Sequence, residues 1–312
     1  MPAMTRKPFD RRQLPAGLSK YVYGTTRLGH SGIPAVDRVK IARAAMESGV
    51  WFHTSEQYGD ALQVLRQAFD EDRRHVPKLI VKLGNDSIDE LRACAKRHIA
   101  ALGIESIGLG QLCLGGSLAA DFRDGGNCYD GLRQLQEEGL VDRFVVEVFP
   151  WTSEVPLAAL SAGHPDGIVG GCIFYFNPLQ RFASNPLWDL MRERSVPMIG
   201  MRTVAGGNAH RLRDVPGAAW KPYLKQRAAE VAPIFERSGV GSWAEFCVRF
   251  AFSFPEVRAT VGATSRAEGL ADFLTASQGD IAPLPDDIVQ EIAQLQRRWS
   301  DETDVKAAPW SM

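Results

Sequence analysis

The chain alternates short apolar runs with longer segments of helical periodicity, and this alternation constrains the fold more than any other feature. The runs are rich in Val, Ile, Leu and Phe and are bounded by Gly, Pro or Asn, as is typical of buried parallel strands. We predict strands at residues 20–23, 50–53, 79–83, 107–112, 144–148, 168–176, 197–201 and 259–261.

Between the runs, apolar residues recur with the 3.6-residue period of an amphipathic helix. In residues 88–102, Leu91, Cys94 and Ile99 share one face, and Asp86-Ser87 supplies the expected N-cap. Helices are predicted at residues 36–48, 62–69, 88–102, 129–138, 186–194, 243–254, 267–277 and 286–299.

Strands that alternate with helices without a break in composition predict one α/β domain over residues 1–312, a (β/α)8 TIM barrel. Residues 1–18 are expected to form an N-terminal extension, and residues 300–312 a tail that folds over the pocket. An open, doubly wound sheet is the competing architecture. It requires a GxGxxG turn after the first strand, and the two glycines of residues 24–29 do not have that spacing.

Composition excludes several classes of function. The net charge is −1 and no basic patch with interleaved aromatic residues occurs, which argues against nucleic-acid binding. No apolar run approaches the length of a membrane span, and the N-terminus lacks the apolar stretch of a signal peptide. The 5 cysteines are scattered without a CxxC pair, and the histidines show no ligand spacing, so we expect no disulfide framework and no metal site. A cytoplasmic protein that acts on a small molecule is the expectation.

Six collinear segments resemble motifs of the aldo-keto reductase family. Residues 49–59, GVWFHTSEQYG, resemble the family's G-V-x-F-D-T-A-E-x-Y-G, and residues 81–84 contain its third-strand lysine. The other four segments are residues 24–29, 137–141, 176–179 and 261–265. Each motif is weak alone, but their order and barrel-consistent spacing make the resemblance strong. It implies a TIM barrel that binds NADP and reduces carbonyl compounds.

The family's catalysis rests on Asp, Tyr, Lys and His. Carried over by position, Tyr58 and Lys82 are present, while His53 stands at the aspartate position and Cys113 at the histidine position. If buried without a carboxylate, Lys82 is expected to favour its neutral form and to act as a base or amine nucleophile. Cys113 is expected to be a weak donor, or a nucleophile if a cation lowers its pKa.

Glu147 stands in an apolar run at the carboxyl end of a predicted strand, where catalytic groups of barrels lie. It occupies one of the positions at which the family binds the nicotinamide carboxamide, the others being Val148 and Ile173. A buried carboxylate is costly unless paired. We therefore expect either contact with the carboxamide or acid–base chemistry, and the structural alternative is a pair with Arg202.

For the other candidates, structural roles remain open as well. Tyr58 and Lys82 are interpretable as ordinary residues of a barrel mouth, His53 as a packed histidine, and Cys113 as a small buried apolar residue. The resemblance places the cofactor against Gly24, Thr25, Asn177, Arg202, Thr203, Gly206, Gly207, Thr264, Ser265 and Arg266.

Two enzymatic functions are compatible with these residues. The first is an NADPH-dependent oxidoreductase that acts on a small polar carbonyl or sugar with an atypical active site. The second is a lyase, dehydratase or epimerase on the same barrel, in which Lys82, Tyr58, His53 and Glu147 transfer protons without a nicotinamide. A catalytically silent binding protein is a third class, and the retention of Tyr58 and Lys82 argues against it.

Overall fold

A computed structural model describes residues 14–29, 32–84, 86–163, 167–204 and 222–301. Eight parallel strands close into a barrel, because β1 pairs with both β2 and β9 and β5 pairs with β6. The barrel strands are β1 (Tyr21–Gly24), β2 (Trp51–Thr54), β3 (Leu79–Lys82), β4 (Leu109–Leu112), β5 (Phe144–Val148), β6 (Val169–Asn177), β8 (Met198–Met201) and β9 (Val257–Ala263). The predicted TIM barrel is confirmed, and each predicted strand overlaps an observed one.

The short strand β7 (Gln180–Arg181) pairs antiparallel with the end of β6 and forms a hairpin at the barrel mouth. The helices are α1 (Ala35–Glu47), α2 (Ala61–Glu71), α3 (Ile88–Leu102), α4 (Gly116–Asp124), α5 (Cys128–Glu137), α6 (Glu154–Ala162), α7 (Asn185–Glu193), α8 (Pro222–Arg237), α9 (Trp243–Phe252), α10 (Ala267–Ala276) and α11 (Asp286–Ser300). Three of them, α4, α6 and α8, were not predicted. None of the helices in the described ranges has the length and apolar character needed to cross a bilayer.

The strands of the barrel are almost completely buried, and their outward-facing residues pack against the helices. On β6, Phe174 and Phe176 contact Trp188 of α7 with ring centroids 6.4 and 5.1 Å apart, respectively. Because side chains alternate along a strand, Ile173 and Tyr175 then face the barrel interior. The same alternation directs the polar residues near the carboxyl ends of β2 to β5 toward the barrel mouth.

Candidate active site

Five predicted catalytic residues lie at the carboxyl end of the barrel, where the loops after the strands converge. His53 is on β2, Lys82 ends β3 and Glu147 is the penultimate residue of β5, whereas Tyr58 and Cys113 follow β2 and β4. The structure brings them together, and each is described below with its partners.

Lys82 and Glu147 form a buried ion pair. The Lys82 Nζ lies 2.9 Å from Glu147 Oε1, and their side chains are 7% and 2% exposed. Burial alone would lower the pKa of Lys82, but Glu147, with smaller contributions from Tyr58 and Cys113, raises it above the ordinary value of a lysine. The condition for a neutral Lys82, the lack of a carboxylate neighbour, is therefore not met: Glu147 of β5 lies beside the lysine and favours its charged form.

Cys113 donates its thiol hydrogen to the other carboxylate oxygen, Glu147 Oε2, at 2.7 Å. Burial and the Glu147 charge raise the pKa of the Cys113 thiol well above its ordinary value, despite the opposing effect of Lys82. The sequence-based option of a nucleophilic thiolate is thus not supported, because the nearest carboxylate outweighs the cation. Cys113 acts as a neutral donor that helps to hold Glu147.

His53 is buried and neutral. Burial, and secondarily the Lys82 charge, lower its pKa to about 4, although its contact with Gln111 opposes this shift. The Nε2 atom lies 2.7 Å from Gln111 Oε1, and since an amide oxygen only accepts, Nε2 carries the proton. Sequence reasoning missed Gln111. The available signal was a polar residue inside the apolar strand β4, two residues before Cys113 and thus on the same face.

Tyr58 is 8% exposed, and burial raises the pKa of its phenol to about 12. Lys82 lowers that pKa, while Glu147 and Tyr175 raise it, so the four side chains lie within electrostatic range of one another. The His53 ring centroid is 6.1 Å from that of Tyr58. At neutral pH the tyrosine therefore keeps its proton and is a potential donor.

The backbone around Tyr58 is fixed by close contact with the turn after β1. A Cβ atom on Gly29 would lie 1.7 Å from the carbonyl oxygen of Tyr58, and Gly59 has a left-handed φ of +56°. His98 of α3 accepts a hydrogen bond from Glu56 N at 3.0 Å. Two glycines and one buried imidazole thus hold the loop that carries the tyrosine.

Aromatic residues form one wall of the mouth after β5 and β6. Trp151, 46% exposed, stacks on Phe149 with a centroid distance of 4.9 Å. Tyr175 stacks on Phe182 at 4.5 Å, and the Arg202 guanidinium lies 4.6 Å from the Tyr175 ring centroid. We call these four aromatic residues the aromatic wall. The alternative that Arg202 pairs with Glu147 is wrong, because Glu147 is paired with Lys82 and Arg202 contacts this wall.

The predicted cofactor residues differ in how far their side chains are available. The Thr25 hydroxyl bonds to His53 O and Thr54 Oγ1, and that of Thr203 donates to Val261 O. The Asn177 amide contacts Gln180, the Arg202 carbonyl and Leu179 N, which fixes the β6–β7 turn. Both oxygens of Glu147 are likewise occupied, which argues against the expected contact with a carboxamide.

The turn after β9 remains accessible. Thr264 accepts a hydrogen bond from Arg266 N at 3.1 Å, while Arg266 is exposed at the N-terminus of α10 and Ser265 is half-buried. Arg202 is also exposed and has a φ of +52°, unusual for a residue with a side chain. Gly24 lies against Ala263, its built Cβ 3.2 Å from that side chain. Gly206 and Gly207 lie outside the described residues.

One cluster of possible metal-ligand atoms, from Glu56, Cys94 and His98, lies within the described residues. His98 Nδ1 is 2.9 Å from Cys94 O, and its Nε2 accepts from Glu56 N. The Glu56 carboxylate pairs with Arg97 at 3.0 Å. Both imidazole nitrogens are occupied, so the cluster serves the packing of α3 against the Tyr58 loop.

Comparison with known proteins agrees with this architecture. The chain is similar to an aldo/keto reductase from Klebsiella pneumoniae, solved with NADP and acetate, with 17% identity over 90% of this chain and 92% of that one and a TM-score of 0.66. It is also similar to an aldo-keto reductase from Bacillus halodurans in its holo form, with 19% identity, 94% and 98% coverage and a TM-score of 0.69.

No curated protein shows significant similarity to the chain. The model of the aldo/keto reductase family matches residues 20–297, most of the described barrel. The chain therefore belongs to the aldo/keto reductase family of oxidoreductases.

Proposed function

We propose that this protein is an NADPH-dependent reductase of small polar carbonyl compounds or sugars, with Tyr58 as proton donor. The observation that carries the proposal is the buried Lys82–Glu147 pair at 2.9 Å within electrostatic range of Tyr58. It supplies from β5 the carboxylate that the family pattern places on β2. In this proposal the proton-donating part of the site is retained, with Glu147 in place of the aspartate as the partner of Lys82.

The geometry supports a simple course for the proton. The pKa of Tyr58 is raised to about 12, so the phenol is protonated when a carbonyl oxygen arrives. As its proton moves to that oxygen, the developing phenolate is stabilised by the Lys82 charge, which Glu147 keeps in place. A positioned general acid typically contributes about 10²–10⁴-fold to the rate. Neutral His53 and Cys113 offer no second strong acid.

The residues fit one end of NADPH better than the other. Arg202, Arg266 and the N-terminus of α10 offer cationic groups and backbone amides to phosphates. Val148 and Ile173 offer no polar side-chain atom to a carboxamide, and the Glu147 oxygens are engaged. When bound, NADPH would supply the hydride. The aromatic wall, with exposed Trp151, suits an apolar sugar face.

The second candidate is a non-redox lyase, dehydratase or epimerase. Its support is that Glu147, Val148 and Ile173 offer no free polar side-chain atom to the carboxamide of a nicotinamide. An enzyme that only transfers protons needs no nicotinamide. In that case Tyr58 and the Lys82–Glu147 pair would act on a substrate proton directly. Cofactor affinity separates the two candidates.

The test is a fluorescence titration of the protein with NADPH and, separately, with NADH. Arg266→Ala should weaken NADPH binding by about 10- to 100-fold, the value of one charged hydrogen bond to the 2′-phosphate, and leave NADH binding nearly unchanged. Arg74→Ala is the matched control, because the Arg74 side chain is 88% exposed and its ion-pair partner is Asp72. If the wild-type protein binds neither nucleotide, the reductase proposal is refuted and the non-redox candidate is favoured.

A further inference from the structure

A small cavity lies beside the aromatic wall, between the β7 hairpin and the end of α11. Pro150 and Phe182 form its apolar side, and Arg181, Arg227, Gln296 and Trp299 form its polar side. The lining contains two arginines and no carboxylate. These two arginines, Gln296 and Trp299 are each at least nine-tenths buried.

Polar atoms of this lining that are buried without a hydrogen-bond partner include Arg181 Nε, Trp299 Nε1 and Gln296 Oε1. Buried polar atoms of native proteins are nearly always bonded, so each of these atoms calls for an explanation. The first two are donors. The third is an acceptor, and its orientation is fixed because Gln296 Nε2 donates to Asn177 O at 2.8 Å.

The surroundings of Arg181 compensate its charge only in part. Its guanidinium donates to Asn185 Oδ1 and lies over the Trp188 ring at 5.2 Å, but Asp189 is paired with Arg297. In the described part of the chain, no carboxylate lies within ion-pair distance of Arg181. Burial, and then Arg297, lower the pKa of Arg181 to about 10, although Asp189 and Asp301 act in the opposite direction. A negative ligand would offset both effects.

From these atoms we infer that the cavity binds a small oxyanion that also carries a hydroxyl group. Arg181 Nε and Trp299 Nε1 would donate to the oxyanion, and Gln296 Oε1 would accept from the hydroxyl. The 2-hydroxycarboxylates are the organic ligands with this chemistry, and hydrogen phosphate is the inorganic one. Arg227, whose guanidinium stacks on Trp299 at 4.7 Å, adds positive charge.

This site is distinct from the catalytic centre. The cavity lining contains none of the five candidate catalytic residues. Phe182 of the lining stacks on Tyr175, which is one of the residues within electrostatic range of Tyr58. The inference needs neither a cofactor nor turnover, so it stands or fails independently of the proposed reductase activity.

Isothermal titration of the full chain with lactate, propionate and phosphate tests the inference. Lactate and propionate differ only by the hydroxyl that Gln296 would recognise, so propionate should bind at least about tenfold more weakly. Binding of phosphate in place of lactate would identify the inorganic anion as the ligand. Failure of all three to bind, or equal affinity for lactate and propionate, would overturn the inference.

The variants locate the binding. Trp299→Phe removes the N–H donor and leaves a smaller aromatic ring in its place, and it should weaken binding by about 10- to 100-fold, as should Arg181→Met. Arg192→Met is the matched control, since Arg192 also stacks on an aromatic ring, that of Phe254 at 5.4 Å, but outside the cavity. Thermal unfolding verifies that each variant is folded. Unchanged affinity in Trp299→Phe, or an equal loss in Arg192→Met, would contradict the proposed site.

Discussion

The substitution Glu147→Gln tests the central ion pair directly, because it preserves the shape of the side chain and removes its charge. Lys82 would remain in a site where its side chain is 7% exposed, without its carboxylate partner. Removing one member of a buried pair typically costs about 3–5 kcal/mol, since the other charge is left uncompensated. We expect a loss of that size in the free energy of unfolding at neutral pH.

The pH dependence of this loss carries the stronger information. In the wild type the pKa of Lys82 is raised above its unfolded value of about 10.4, so its contribution is fully present at lower pH and constant over the neutral range. In the variant, burial acts on Lys82 without Glu147 and lowers its pKa below the unfolded value. Between the Lys82 pKa of the folded variant and that of the unfolded chain, the unfolded state binds more protons than the folded state. The stability of the variant therefore rises with pH in this range.

The deficit of Glu147→Gln should therefore shrink between about pH 7 and about pH 9.5, measured by urea unfolding at both pH values. Glu138→Gln is the control, because Glu138 is 38% exposed and its pair with Arg92 is worth about 0–1 kcal/mol. A Glu147→Gln deficit no larger than that of the control, or one that is equal at both pH values, would refute the reasoning.

Two further predictions concern Tyr58 and Cys113. Gly29→Ala should lower kcat/KM for carbonyl reduction by about 100-fold, because the added Cβ would lie 1.7 Å from the Tyr58 carbonyl oxygen and displace the loop that carries Tyr58. Gly32→Ala is the control, since no atom lies within 4 Å of a Cβ built there. Equal activity of the two variants would contradict the role of this contact. Cys113 should react with iodoacetamide more slowly than a free thiol at about pH 8, because burial and the Glu147 charge raise the pKa of its thiol. The reaction should be faster in Glu147→Gln, which lacks that charge. Peptide mass spectrometry measures both rates, and a fast reaction in the wild type would refute the assignment.

The barrel strands were predictable because buried parallel strands are continuous apolar runs, which stand out in a linear pattern. The missed helices lack the signal on which the prediction depended. The segment of α6, EVPLAALSA, is apolar on nearly all sides and therefore shows no amphipathic period. The helix α8 contains Pro233, a residue that normally argues against a helix interior.

The place of the candidate catalytic residues at the barrel mouth was predictable as well, but their hydrogen-bond and ion-pair partners were not. Glu147 stood out as an acid in an apolar strand, whereas its pairing with Lys82 depends on which strand ends closure of the barrel brings together. The same limit applies to the cavity beside α11. Arg181 and Trp299 are separated by more than a hundred positions along the chain, and no local pattern relates them.

The contact between Lys82 and Glu147 passes over β4, which lies between β3 and β5 in the sheet. In a closed barrel, an inward-facing side chain at the end of one strand has the ends of several other strands within reach. A carboxylate that pairs with a lysine at the mouth can therefore come from any of these strands while the lysine keeps its position. A linear motif that requires the aspartate would not match residues 49–59 of this chain, although the family model matches residues 20–297. Searches by the distance from a lysine nitrogen to any carboxylate at the mouth would retain it.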